Sequence, residues 1–165
     1  MTNSSAELLK VHVRWLTEKD LDAVYDLEQK CSEKPWGPIE FANILMHSNC
    51  VGVVVEYQSE IIGYLIYEAQ EKSIDISNIA VHPQFRRKGV ASQMVARLAC
   101  RLIHGARRAL TLSVRESNLA AQLFFRSLGF KAVSIKRANQ EMDEDSYVMQ
   151  YKHHARVLPT ELVLN

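Results

Sequence analysis

The amino-acid sequence predicts a mixed α/β domain with a mostly antiparallel sheet, and three features lead there. Residues 51 to 81 hold three strand-like runs in succession, the first two joined by a turn short enough for a hairpin. Residues 73 to 114 read as strand, basic turn, helix and strand, a β-turn-α-β unit. Helical spacing at 90–102 and 118–128 supplies helices to cover the sheet.

Along the chain, Val11, Val13 and Trp15 alternate with polar neighbours and give a first strand. Thr17 is placed to cap a helix with Asp20 in its opening turn. Leu21, Val24, Tyr25 and Leu27 or Glu28 form the face of that helix, which ends near Cys31. Glu33 to Pro38 (EKPWGP) holds two prolines, a glycine and a tryptophan, so it is a turn presenting a large apolar side chain. A short helix through Phe41, Ile44 and Leu45 follows. Trp36 suits either core packing or the lining of a cleft.

Val51 to Tyr57 and Ile61 to Glu68 form the hairpin about Gln58 to Glu60, and a third strand runs from Lys72 to Val81. In it Ile74 and Ile76 share one face, yet Ile79 and Val81 fall on the opposite parity. A bulge near Asn78 reconciles them and frees backbone groups just before the basic turn. Asp75 and Ser77 then share a face. Val90, Met94, Val95, Leu98 and Leu102 follow helical spacing as far as Gly105, and Ala109 to Val114 is a strand. A helix from Asn118 to Leu128 carries Leu119, Leu123, Phe124 and Leu128 and stops at Gly129. Phe130 to Ile135 and Ser146 to Tyr151 are the last strands, separated by the charged loop Arg137 to Asp145. Residues 1–152 read as one domain and 153–165 as a tail.

The 165 residues, 47% hydrophobic and 24% charged, suffice for one proper core. A net charge of +1 argues against general nucleic-acid binding. No apolar run approaches the roughly 18 residues needed to span a bilayer, and MTNSSAELLK has no signal-peptide pattern. No membrane partner and a cytoplasmic location are expected. Cys31, Cys50 and Cys100 are odd in number and far apart, which suggests buried thiols rather than disulfides or a metal site. Among the histidines only His153 and His154 adjoin, in a polar stretch suited to solvent.

The chemistry concentrates in Ile79 to Ser92 (IAVHPQFRRKGVAS): a strand end, a turn at His82 and Pro83, then Arg86, Arg87, Lys88 and Gly89, and a helix beginning at Val90. The first turn of a helix has N–H groups without intrahelical partners and a partial positive charge, which suits a phosphate. Gly89 lets the backbone approach a ligand, and the three basic residues add attraction for a multiply charged group. A basic turn with glycine also serves simply to join a strand to a helix. The pattern is neither a Walker P-loop nor a dinucleotide fingerprint.

These residues carry a resemblance that covers almost the whole chain. Arg86-Arg87-Lys88-Gly89-Val90-Ala91 matches the acetyl-CoA motif [QR]-x-x-G-x-[GA] of the GNAT-superfamily N-acetyltransferases, behind the strand Asn78 to Val81 and before a helix. Ser113 to Phe130 (SVRESNLAAQLFFRSLGF) is similar to a block of the protein-N-terminal acetyltransferases. Pro35-Trp36 followed by Phe41 resembles the P-W-x-x-x-x-F stretch of the ribosomal-protein-alanine N-acetyltransferases.

The resemblance implies a GNAT fold, with acetyl-CoA in a V between two splayed central parallel strands, Ser73 to Val81 and Ala109 to Val114, and helices flanking the sheet. The pyrophosphate would lie on the amides from Arg87 to Ser92, beside Arg86, Lys88, Gly89, Val90 and Ala91. The pantetheine arm would pair with Ile79, Ala80 and Val81, and the Val81 amide would stabilise the oxyanion of a tetrahedral intermediate. Asn118 matches a cofactor-contacting asparagine. The acceptor would be a primary amine, foremost a protein N-terminus, met by Trp36 and Tyr147 as opposite walls of the entrance.

The departures bear on mechanism. Ser113 replaces the glutamate base of the ribosomal-protein-alanine enzymes. Phe125, on the cofactor-binding side, replaces their tyrosine acid, and neither can take over that proton chemistry. Asp75, at a strand position where other branches place a glutamate or tyrosine, is a substitute base or else a solvated strand carboxylate. Tyr147 could touch substrate or act as an acid, or pack with its hydroxyl at a rim. The expectation is a slow or unusually equipped transferase rather than an inactive one. Two other readings stay open: a small-amine acetyltransferase using Glu33, Glu40 and Asp75 at its mouth, and a non-catalytic acyl-CoA-binding module.

Overall fold

The computed structural model describes residues 8–104, 107–140 and 142–153, and within them seven strands form a single sheet. In chain order the elements are β1 (His12–Trp15), α1 (Leu21–Cys31), α2 (Pro38–Met46), β2 (Cys50–Tyr57), β3 (Glu60–Ala69), β4 (Ser73–Val81), α3 (Val90–His104), β5 (Ala109–Arg115), α4 (Leu119–Ser127), β6 (Lys131–Lys136) and β7 (Ser146–Lys152). Two 3₁₀ turns, Glu18–Asp20 and Pro83–Phe85, precede α1 and α3. Across the sheet the order is β1-β2-β3-β4-β5-β7-β6, and only β4 with β5 runs parallel. The expected mostly antiparallel α/β fold is therefore what forms. The stop at Gly105 and the tail beyond His153 fall outside the described residues.

Each face of the sheet has its own cover. All five apolar residues anticipated in α3, Val90, Met94, Val95, Leu98 and Leu102, are buried against Leu65, Tyr67, Ile74, Ile76 and Leu110. On the other face Val24 and Leu27 of α1 and Phe41 of α2 close over Val54, Tyr64, Ile66 and Ala80. Burying such side chains contributes about 1.5–3 kcal/mol each, which is what holds the helices on both faces of the sheet. Helix α4 differs from expectation. Phe125 is its buried residue, with Ala121, Phe124 and Leu128 beside it, while Leu119 is 62% and Leu123 56% exposed. Ala121, Phe125 and Leu128 lie four before and three after one another on a single stripe, and two phenylalanines outweigh two leucines for it.

The parity argument for a bulge holds. Ile66 pairs with Asn78 and Tyr67 with Ile76, leaving Ser77 as the extra residue on β4. Ile74, Ile76, Ile79 and Val81 all consequently reach the α3 side. A second bulge, unforeseen, leaves Ile62 unpaired on β3 between the pairs Val55 with Gly63 and Glu56 with Ile61.

At the β1 edge Thr17 is the N-cap and Asp20 its capping-box partner, as expected, though on a 3₁₀ turn that leads into α1. The Thr17 N–H and hydroxyl donate to Asp20 Oδ2 at 2.8 and 2.9 Å. Arg14 grips the same carboxylate from both nitrogens at 2.7 and 2.8 Å, and also donates to Glu56 at 2.9 and 2.6 Å. Asp20 is buried, and the Arg14 guanidinium holds its carboxyl well below the usual range. The thiols are less buried than expected: Cys31 and Cys50 are half-buried and Cys100 is exposed. Among the described residues no helix is long and apolar enough to cross a membrane, and no cluster suits a metal ion.

Candidate active site

Strands β4 and β5 pair over four positions, from Ser73 with Ala109 to Ile76 with Leu112, and then part. The bulge at Ser77 comes at the next residue, so the parallel ladder ends where the extra residue enters. Beyond it β4 stays on β3 as far as Val81, and β5 stays on β7 as far as Arg115. Each arm follows a different neighbour, and a V opens between them. Asp75 lies below the fork, in the paired base, where its carboxylate accepts from the Thr111 hydroxyl at 2.7 Å. Ser77, anticipated on its face, is instead the extra residue of the bulge, and Asp75 itself is tied to the closed end. Ser113 is the first β5 residue past the fork and is exposed.

The β4 arm leads through Pro83–Phe85 to the basic turn. Arg87 (φ 63°) and Gly89 (φ 75°) both take left-handed backbone, which curls the chain into the start of α3. Among the described residues, no carbonyl accepts from the N–H groups of Val90, Ala91 or Ser92, whereas Gln93 N already bonds Gly89 O at 3.1 Å. Arg87 and Lys88 are exposed, and the Lys88 ammonium sits 5.3 Å from the Phe85 ring centroid. The arrangement presents unpaired amides, a helix terminus and two exposed cations, which together suit a polyanion.

Two members of this turn act otherwise than expected. The Arg86 guanidinium folds back, donating from Nε to Val81 O at 3.1 Å and from Nη2 to Cys31 O at 3.5 Å. Its charge therefore fastens the end of β4 to the end of α1. A Cβ on Gly89 would meet Leu8 Cδ2 at 2.7 Å, so glycine is required by the positive φ and by the segment before β1 rather than by ligand approach alone. That segment is fastened to the turn: Leu9 N donates to Lys88 O at 3.2 Å, and Gln93 Nε2 donates to Leu9 O at 2.9 Å. Nothing in the spacing of the sequence signals this contact.

Around the V the other candidates separate. Ile79, Ala80 and Val81 lie along the β4 arm with their side chains packed into the two cores, leaving only backbone for a ligand. The Val90 side chain is buried. Asn118 caps α4, its Oδ1 accepting from Ala121 N at 3.1 Å. Phe125 is a core residue, edge-on to Phe124 and Phe130 at 5.0 and 5.2 Å, and does not line the V through an exposed ring.

On the α1 side, Trp36 is half-buried and edge-on to Phe41 at 5.4 Å, which is in turn 5.9 Å from Tyr64. The loop that carries Trp36 meets the loop before β7 through an ion pair of Lys34 with Asp143. Glu33 and Glu40 are exposed. Cys31 Sγ donates to Val81 O at 3.3 Å, and burial pushes its thiol pKa up, so the group remains a thiol. Tyr147 corrects the expectation of two facing walls. It pairs with Val114 and packs on the α3 side, the opposite sheet face from the cluster holding Trp36, because paired residues on neighbouring strands share a face.

Sequence reasoning missed Glu28, treated only as part of a helix face. It is buried, and its carboxylate accepts from Tyr64 Oη, Trp36 N and Asn78 Nδ2 at 2.6, 3.0 and 3.3 Å. A charged residue on the same stripe as Leu21, Val24 and Cys31 was the available signal.

The chain is similar to the [ribosomal protein bS18]-alanine N-acetyltransferase of Haemophilus ducreyi, 26% identical over 136 residues that cover 81% of this chain and 92% of the relative. The crystal structure of the ribosomal-protein-S18-alanine N-acetyltransferase from Escherichia coli has the same fold, with a TM-score of 0.77 at 24% identity, covering 90% of this chain and 99% of that one. Naa50 of Arabidopsis thaliana, in complex with the bisubstrate analogue CoA-Ac-MVNAL, superposes with a TM-score of 0.74 at 15% identity, covering 88% and 100%. Residues 21–130 match the model of the Acetyltransferase (GNAT) family, which includes the fork, the basic turn and the first turn of α3, and the chain belongs to that family.

Proposed function

We propose that the protein transfers an acetyl group from acetyl-CoA to the N-terminal α-amine of a polypeptide. The observation that carries this reading is the fork, whose β4 arm ends at the open N-terminus of α3. Acetyl-CoA would supply an acetyl thioester. The amides from Arg87 to Ser92, with the Arg87 and Lys88 charges, hold the pyrophosphate, and the backbone of Ile79 to Val81 takes the pantetheine arm along the unpaired edge of β4. The Val81 N–H stabilises negative charge developing on the thioester oxygen, a contribution that does not need a titrating side chain. Cys31 and Arg86 hold the Val81 carbonyl, in the peptide that follows, and so brace the end of the β4 arm next to that N–H.

The acceptor follows from what the site lacks. Ser113 is no base, Phe125 is no acid, and Asp75 sits in the base of the V on Thr111. A protein α-amine titrates near 8, so about a tenth of it is neutral at pH 7, against about one part in a few thousand for lysine near 10.4. The thiol leaving group departs as thiolate at modest cost, and general acid-base steps contribute about 10² to 10⁴ in rate, so positioning and oxyanion stabilisation alone leave useful turnover. The relatives named for ribosomal-protein alanine acetylation support the same acceptor class.

Matched peptides with free or blocked N-termini, with and without lysine, are the test, offered beside spermidine and an aminoglycoside in a thiol-release assay. Free α-amines should be used, and Trp36→Ala should raise the peptide KM about tenfold with acetyl-CoA affinity held within about twofold. Undiminished acetylation of a blocked lysine peptide sinks the α-amine reading. Preference for spermidine favours the small-amine alternative, and no thiol release with any amine favours a binding module. Ser113→Glu places a carboxylate at an exposed position just past the fork and should raise turnover on an α-amine about tenfold or more. Phe125→Tyr is a poorer restoration, because its hydroxyl would enter the core beside Phe124 and Phe130.

A further inference from the structure

Glu28 occupies a core position on α1, yet its hydrogen-bond partners are all neutral: a tyrosine hydroxyl, a backbone amide and an asparagine amide. None of the ion pairs among the described residues includes it. A carboxylate buried without a cation is a weak source of stability, and apolar replacements of buried charges are often neutral or stabilising. Its geometry suggests another use. Tyr64 belongs to β3, Trp36 to the loop between α1 and α2, and Asn78 to the bulged stretch of β4 where the V opens. The next residue, Gln29, donates from Nε2 to Trp36 O at 3.3 Å, so both polar groups of the Trp36 backbone are held from α1. One turn further on, Cys31 and Arg86 tie the end of the same helix to the Val81 carbonyl.

We propose that Glu28 is a positioning residue that locks the Trp36 loop to the bulge of β4, fixing the acceptor relative to the acetyl-bearing arm of the V. The proposal rests on the reading that the Trp36 loop meets the acceptor. A carboxylate is the suitable group because it accepts three hydrogen bonds and offers no donor. Methionine keeps much of the shape but has no oxygen to accept, so it removes all three arms, whereas glutamine would keep them by donating its NH₂ to Tyr64 Oη, a hydroxyl that can also accept. Burial and the neighbouring carboxylate both raise the Tyr64 pKa well above the ordinary tyrosine value, so the hydroxyl stays a donor throughout the working pH range.

The test compares wild type, Glu28→Met, Trp36→Ala and the double variant on a free-N-terminus peptide, with acetyl-CoA affinity by calorimetry and Tm measured alongside. Glu28→Met should raise the peptide KM about tenfold while acetyl-CoA Kd stays within about twofold. In the Trp36→Ala background the same change should add less than about twofold, since both act through one loop. An unchanged KM, a parallel loss of acetyl-CoA binding, or independent multiplication of the two effects overturns the proposal. Should Glu28→Met fail to fold, Asn78→Ala and Tyr64→Phe each remove one arm, and each should raise KM by a smaller factor; no rise in either overturns it equally. If spermidine proves the better acceptor, the α-amine reading falls by itself, and the KM for spermidine then decides the role of Glu28 by the same comparison.

Discussion

Gly89→Glu should lower acetyl-CoA affinity by at least about a hundredfold, on electrostatic grounds alone. A carboxylate about 5 Å from one unit of phosphate charge costs about 3 kcal/mol at an effective dielectric constant of 20, and a pyrophosphate carries more than one. Two further costs add to this. The backbone at φ 75° disfavours any residue with a Cβ by roughly 1–2 kcal/mol, and that Cβ would meet Leu8 at 2.7 Å. Gly89→Ala carries the strain without the charge and should lose about tenfold. Calorimetric titration of both variants, with Tm recorded for the free proteins, separates the contributions. Wild-type affinity in Gly89→Glu would mean that the pyrophosphate lies elsewhere.

Asp20→Ala should destabilise the fold by about 3 kcal/mol, the lower end of what breaking a buried ion pair costs. The change leaves Arg14 with Glu56 alone and strips Thr17 of the acceptor for both its N–H and its hydroxyl. It also predicts a pH signature. The folded pKa of Asp20 is depressed, with the Arg14 hydrogen bonds as the largest cause, so the stability it contributes is fully present above the ordinary carboxylate value of about 4. That contribution is lost as pH falls through the lower folded value. Urea unfolding at pH 7 and at pH 3 should show the gap between wild type and Asp20→Ala narrowing in acid. An equal gap at both pH values would place the network's contribution outside the titration of Asp20.

Legibility in the sequence followed the range of the physics involved. The bulge on β4 was readable because strand parity is a local rule, and Ile74, Ile76, Ile79 and Val81 could not otherwise share a core. That such a bulge splays strands follows from the same rule, whereas which strand parts from β4 was expected only from the resemblance, since losing a neighbour depends on what β5 does. Helix α4 was misread because two apolar stripes of similar length compete there, and the winner is set by the sheet beneath Phe125 rather than by spacing. Arg86 looked like part of a phosphate site by composition, yet two carbonyls at the ends of other elements claim its guanidinium. Glu28 and Tyr147 share this lesson. Which face a side chain joins, and which strangers it bonds, depends on partners 33 to 50 residues away, such as Val114 across from Tyr147 and Asn78 across from Glu28.

The short segment before β1 has a bearing on how the protein is made. Leu9 reaches its partner Gln93 across a separation of 84 residues, and the turn at Lys88 is shaped by the same contact. During synthesis Leu9 leaves the ribosome long before Gln93 does, so it must wait while α1, α2 and four strands emerge between them. Contacts of such long sequence separation close late, because the loop entropy has to be overcome before they contribute anything. The phosphate cradle should therefore be one of the last parts of the molecule to mature, and chains truncated just before residue 93 should hold a β1–β2–β3–β4 sheet that acetyl-CoA does not recognise.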